Sequence, residues 1–174
     1  FRRVLFRSVL LAIAFDYING FHDTANAIAT SVATKALHPR HAILMAATFN
    51  FIGAFAGTAV AKTIGKSLVD ETTTTQTIVA AALVGAIVWN LVTWRWGIPS
   101  SSSHALIGGL LGATLIAAGP GALLIDGIVG KVLIPLVSSP LAGFAIGFVL
   151  MIALYWIFRG FHRRPLGRIF KVLQ

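Results

Sequence analysis

The sequence predicts an all-α membrane protein of about five transmembrane segments, some of them broken or re-entrant. Three observations carry that reading. Hydrophobic residues make up 57% of the 174-residue chain and charged residues 11%, outside the range of ordinary soluble domains. The apolar residues fall into five runs near the roughly 20 residues that a spanning helix needs. One run is interrupted by polar side chains and another is too short to cross alone, which calls for helix breaks at membrane depth.

The elements follow in order. The opening FRRVLFR has no initiating Met, and no small-residue cleavage site follows Ala14. Residues 1–7 therefore read as a truncated or foreign edge rather than a signal peptide. The first segment covers residues 8–33 and is expected to break near Gly20. A basic loop, residues 35–41, precedes the second segment, residues 42–61, which carries Thr48, Asn50 and a Gly53-xxx-Gly57 pair suited to close helix packing. Its exit loop mixes Lys62, Lys66, Asp70 and Glu71 with a Thr run and reads as solvated. The third segment, residues 77–94, contains Asn90 and ends among Trp89, Trp94, Arg95 and Trp96, residues that suit a membrane interface. Residues 105–118 are too short to cross unaided and read as a re-entrant or broken helix. The last segment, residues 132–158, is long enough to tilt or bend at Pro135 and Pro140, with Gly143-xxx-Gly147 on a packing face.

The formal net charge is +9, but the basic residues sit between apolar runs and after the last one. That pattern reads as membrane topology and contact with anionic lipid head groups, not as nucleic-acid binding. Lys35, Arg40, Arg95 and the tail residues Arg159, Arg163, Arg164, Arg168 and Lys171 fall on one side of five spans, against Lys62, Lys66 and Lys131 on the other. The first group is expected in the cytoplasm; Arg2, Arg3 and Arg7 count against it. An odd number of spans leaves the ends on opposite faces, so a following copy would insert upside down, as in many transporters. Residues 8–158 then read as one membrane unit, and residues 159–174 as a basic cytoplasmic tail or linker. With no Cys in the chain, disulfides, thiolate metal sites and cysteine catalysis are excluded.

Residues 16–34, DYINGFHDTANAIATSVAT, hold the chemistry. On a helix, Asp16, Asn19, Asp23, Asn26 and Thr30 share one narrow stripe. A carboxylate in hydrocarbon costs several kcal/mol, roughly, so the stripe is expected to face protein or water. The bland reading is a polar seam that glues helices together; two carboxylates, two amides and a hydroxyl in register favour a binding role.

The second motif is Pro99 followed by Ser100, Ser101, Ser102, Ser103 and His104. It reads as a helix start, with Pro in the first turn and Ser capping free N–H groups. Such an N-terminus offers donors and a positive dipole end to an anion, and the hydroxyls add donors without charge. Alone it could be a capped interfacial loop. Together, the two motifs read as halves of one site: a cradle for an anion, and carboxylates for a cation or proton travelling with it. His104 could shuttle protons, cap the site or hydrogen-bond in the core, and His22 stands beside Asp23. Asn50 and Asn90 are secondary candidates. His38 and His41, three apart in the basic loop, read as solvated, and no metal site is expected.

These residues carry a resemblance. GFHDTANA, residues 20–27, looks like the signature of the inorganic phosphate transporter (Pit) family, and WNLVTWRWGIPSSSSHALIGG, residues 89–109, is similar to its second, Pro-Ser/Thr-rich hallmark. The likeness runs from about Ser8 through nearly all of the chain. It implies two inverted repeats, of which this chain resembles the first, and secondary transport of inorganic phosphate with sodium or protons. By the same resemblance Asp23 and Asn26 match the paired Asp and Asn of the signature, and the Ser run matches its phosphate-facing hydroxyls. Many members have Asn where this chain has His22, which resembles the bacterial low-affinity branch. That branch implies symport with protons rather than sodium, carriage of neutral divalent-metal phosphate complexes, no other cofactor, and the bacterial cytoplasmic (inner) membrane.

Rival readings come from other classes. A transporter or channel for another oxyanion such as sulfate would use the same donors. An intramembrane serine hydrolase could draw on Ser, His104 and Asp23, but there is no Gly-flanked nucleophile, and Ser103 beside His104 is poor geometry for base and nucleophile. A homo-oligomer stays open.

Overall fold

The computed structural model describes residues 2–55 and 67–160, and these form five helices: α1 (Arg2–Ala33), α2 (Pro39–Ala54), α3 (Gln76–Trp96), α4 (Ser102–Ala118) and α5 (Ile125–Phe158). A short 3-10 turn, Pro120–Ala122, joins α4 to α5. The far end of the expected second span, residues 56–61 with Gly57, lies outside the described residues, as do Lys62, Lys66 and the tail from residue 161.

α1 runs unbroken through Gly20, contrary to the expected break. A glycine inside a helix costs only about 1 kcal/mol relative to Ala, less than freeing backbone groups in an apolar setting. The Gly20 carbonyl also accepts the Thr24 hydroxyl proton, which adds to the ladder there. The helix stops instead at Lys35, whose φ of 57° is left-handed. There the Ala36 and Leu37 amides both turn back to the Ser31 carbonyl. α2 begins inside the expected basic loop, with Pro39 at its first position and His38 as N-cap, its ring accepting the Arg40 N–H.

α3 is the central helix, with α1 packed on one side and α4 on another. Thr75 caps its start by accepting the Ile78 N–H. Gly97, at φ 65°, closes its end, and the Ile98 amide donates back to the Thr93 carbonyl at 2.9 Å. That reversal turns the chain straight into α4. Phe15 of α1 packs with Leu83 and Ala86 of α3, while Ile78 and Ala82 pack with Leu110 of α4. Gly109 makes the α3–α4 approach close enough that any Cβ there would meet the Ala82 carbonyl oxygen at 2.5 Å. At 17 residues, α4 spans about 26 Å, short of the roughly 30 Å hydrocarbon core.

α3 and α5 are the two described helices long and apolar enough to cross a membrane. No residue in the apolar window of α5 is buried, which fits a surface that meets lipid or further protein. Five of its residues, Val129–Leu133, follow a π-helical register, directly before Pro135, which has no N–H to continue an α ladder. A Cβ added at Gly143, Gly147 or Gly53 would meet nothing within 4 Å, so no close helix approach among the described residues requires a glycine there.

A latch ties the α2–α3 segment to the α4–α5 turn. Val69 bridges Leu123, the Asp70 N–H donates to the Ala122 carbonyl, and Lys131 donates to the Ser67 hydroxyl at 2.7 Å. The Thr72 hydroxyl and amide both donate to the Asp70 carboxylate, at 2.8 and 2.9 Å, and hold its pKa below the usual carboxylate value. A lowered folded-state pKa means that the turn favours the charged form. The stabilisation is therefore complete at neutral pH and is lost as pH falls from about 4 through the lower folded value. Protection of the Thr72 amide relative to its intrinsic exchange rate is expected to fall only in that acidic window, and Asp70→Asn should show the lower protection already at pH 7.

Candidate functional site

The site forms where α1 crosses the end of α3 and the start of α4. Phe21 packs edge-on against Trp94, ring centroids 5.4 Å apart, and this contact places the next two residues of α1 at the α3–α4 turn. His22 is 9% exposed, and its Nδ1 stands 3.1 Å from Asp23 Oδ1. A carboxylate only accepts, so this nitrogen donates. The other ring nitrogen, Nε2, is 3.5 Å from the Thr93 hydroxyl oxygen. The Thr93 hydroxyl gives its own proton to the Trp89 or Asn90 carbonyl, at 2.9 and 3.1 Å, which leaves a lone pair toward the ring. Asp23 Oδ2 accepts the Ser102 hydroxyl at 3.3 Å, a link across 79 positions of sequence. His22 and Asp23 form an ion pair if the ring is protonated.

The first turn of α4 divides its serines by role. Ser101 is the N-cap, its oxygen accepting the His104 N–H at 3.3 Å. Pro99 lies two residues before that cap rather than in the first turn. Ser102 is buried against Asp23. Ser100 is half-buried and accepts the Trp89 indole N–H at 3.1 Å. Ser103 is exposed. The first-turn amides of α4 have no partner within the helix. Ser100, Ser101 and His104 line a cavity of about 440 Å³ with Trp89, Gly85, Gly108 and Gly109. A second cavity of about 190 Å³, on the other side of the α3–α4 turn, is lined by His22, Asn26 and Thr93.

The stripe on α1 is thus used unevenly. Asp23 joins the two motifs and Asn26 lines the smaller cavity, whereas Asp16 and Thr30 are exposed. Asn19 is half-buried, with its carbonyl oxygen enclosed and unpartnered. Asn90 is fully buried with both ends of its amide unpartnered. Asn50 is not brought to the site: it is exposed and donates to the Ala46 carbonyl of its own helix. Two participants went unread in the sequence. Thr93 sits three residues after Asn90 on the same helical face, a spacing that could have exposed it. Trp89 reads in the sequence as an interface residue, because its hydrogen bond to Ser100 arises only once the chain turns at Gly97.

Residues 19–173 match the model of the phosphate transporter family (PHO4). The chain belongs to this family. As a member of the phosphate transporter family it is an integral membrane protein and a transporter component rather than an enzyme, which sets the hydrolase reading aside. The chain is 51% identical over 168 residues to a probable low-affinity inorganic phosphate transporter of Bacillus subtilis (strain 168), covering 95% of this chain and 50% of that one. It is 40% identical to the low-affinity inorganic phosphate transporter PitB of Escherichia coli (strain K12), covering 85% of this chain and 33% of that protein. Among solved structures it resembles a sodium-dependent phosphate transporter, with a TM-score of 0.83 at 29% identity, over 88% of this chain and 40% of that one. The chain spans about half the length of the Bacillus relative.

Proposed function

We propose that the intact protein containing this chain is a secondary transporter that carries inorganic phosphate with protons across the bacterial cytoplasmic membrane. The observation that carries this reading is the Ser102–Asp23 contact, which joins the donor-rich start of α4 to the charged centre of α1. Hydroxyls and first-turn amides suit a tetrahedral oxyanion. The Asp23 carboxylate beside them repels an incoming anion unless a cation or proton offsets its charge. Both ring nitrogens of His22 face oxygens, the Asp23 carboxylate and the Thr93 hydroxyl, which supports a junction where a co-transported proton offsets the charge that meets the anion.

The related structure bears the name of a sodium-dependent transporter, so the coupling ion is the point to test. The intact protein in liposomes with an acid-outside gradient and no sodium is expected to take up phosphate saturably. Uptake driven only by a sodium gradient would overturn proton coupling. Carriage of phosphate as a neutral divalent-metal complex belongs to the same proposal, and phosphate uptake should then rise with added Mg2+. A second, inverted unit facing the exposed edge of this one would complete the coordination shell, as in other inverted-repeat transporters.

The serines act here as donors, not nucleophiles. Ser102→Thr keeps the hydroxyl and should raise the phosphate KM less than Ser102→Ala. For the Ala variant a rise of roughly tenfold or more is expected, because Asp23 loses its hydrogen bond from Ser102 and the α1–α4 junction is no longer held. No covalent adduct with fluorophosphonate probes is expected, and a stoichiometric adduct on any of these serines would contradict the assignment.

A further inference from the structure

We propose that Trp89 is a positioning residue of the anion cradle, fixing the Ser100 hydroxyl as a donor directed into the larger cavity. The inference rests on the phosphate-transport reading of that site and adds a residue to it. Each serine at the start of α4 has a different role. Ser101 accepts the His104 amide as the helix cap, and Ser102 gives its proton to Asp23. Ser103 is exposed and does not line the cavity, which leaves Ser100, whose oxygen accepts the indole N–H of Trp89 at 3.1 Å. An indole N–H can only donate. It therefore occupies one lone pair of Ser100 Oγ and turns the hydroxyl proton away from Trp89.

The surroundings favour a ligand-facing role over a membrane anchor. Trp89 and Ser100 both line the cavity of about 440 Å³, together with Ser101 and His104. Gly85, Gly108 and Gly109 form another part of its wall, so backbone approaches the space without intervening side chains. Trp89 is 55% exposed, so its ring is not a core element that the helix packing needs. An anion bound there accepts the Ser100 proton. Without the indole, the same hydroxyl rotates freely and presents its proton only part of the time.

The test uses Trp89→Phe, which keeps an aromatic ring and removes the N–H, with Ser100→Ala and the double variant, all in the intact protein. Trp89→Phe is expected to raise the phosphate KM about two- to tenfold with the maximal rate nearly unchanged. The double variant should match Ser100→Ala alone within about twofold, since the indole acts through that hydroxyl. Trp96→Phe, at an exposed tryptophan outside the cavity, serves as the control for ring replacement. An unchanged KM in Trp89→Phe, or additive effects in the double variant, would overturn the inference. The 15N signal of the Trp89 indole reads the hydrogen bond without transport: it should shift in Ser100→Ala, and an unmoved signal would also overturn the inference. Wild-type protein that takes up no phosphate, yet shows the indole shift, would overturn the transport reading and leave the Trp89–Ser100 bond established.

Discussion

Asp23→Asn is expected to abolish proton-coupled phosphate uptake by the intact protein while leaving its insertion in the membrane normal. Asn keeps the size of the side chain and can still accept from Ser102, so packing of α1 on α3 should survive. What it removes is the charge between His22 and Ser102, and with it the reason for a proton to bind. An amide has one acceptor oxygen where the carboxylate has two, so one of the two donors, the His22 N–H or the Ser102 hydroxyl, loses its acceptor. Loss of one charge-assisted bond and weakening of the other corresponds to roughly a hundredfold or more, before the loss of coupling is counted. Near-normal uptake at saturating phosphate would remove Asp23 from its assigned role. His22→Gln, which keeps a polar side chain without the ring, should leave phosphate binding measurable but weaken proton-driven uptake.

Gly109→Val is expected to disable the protein by a different route. A Cβ at this position would stand 2.5 Å from the Ala82 carbonyl oxygen and 3.2 Å from its carbonyl carbon. The obstruction is backbone, so no side chain can rotate out of the way, and α4 must move off α3. Overpacking of a fitted contact typically costs about 1–3 kcal/mol, and a branched side chain against backbone should reach the upper end. The purified protein should melt several degrees lower, and the Trp89 indole signal should lose its Ser100 partner. Gly112, on the same helix, has nothing within 4 Å of a built Cβ, so Gly112→Ala should be neutral or stabilising. Equal melting of the two variants would contradict the close α3–α4 approach.

Much of the site was legible because its residue types are expensive in an apolar chain. Asp23 on α1 and the Ser run before α4 announced themselves as polar groups in otherwise apolar sequence, and the shortness of α4 followed from counting. The interfacial Trp94, Arg95 and Trp96 also located the α3 end, within two residues of Trp96. The failures come from tertiary context. Gly20 was read as a break from its own flexibility, but the Thr24 hydroxyl and the cost of open backbone in hydrocarbon keep the helix whole. The π-helical stretch before Pro135 is an adjustment of register that leaves no periodic mark. Above all, Thr93 and Trp89 resemble ordinary residues of a membrane helix, and only the turn at Gly97 brings them against His22 and Ser100.

The most direct test of the central claim is uptake of radiolabelled phosphate by the intact protein in cells lacking phosphate carriers of their own, with excess unlabelled sulfate as competitor. The expected result is saturable uptake that sulfate does not displace, that collapses when the proton gradient is dissipated, and that Asp23→Asn eliminates. Equal competition by sulfate, or uptake that persists in Asp23→Asn, would contradict the assignment of the α1–α4 junction as a proton-linked phosphate site.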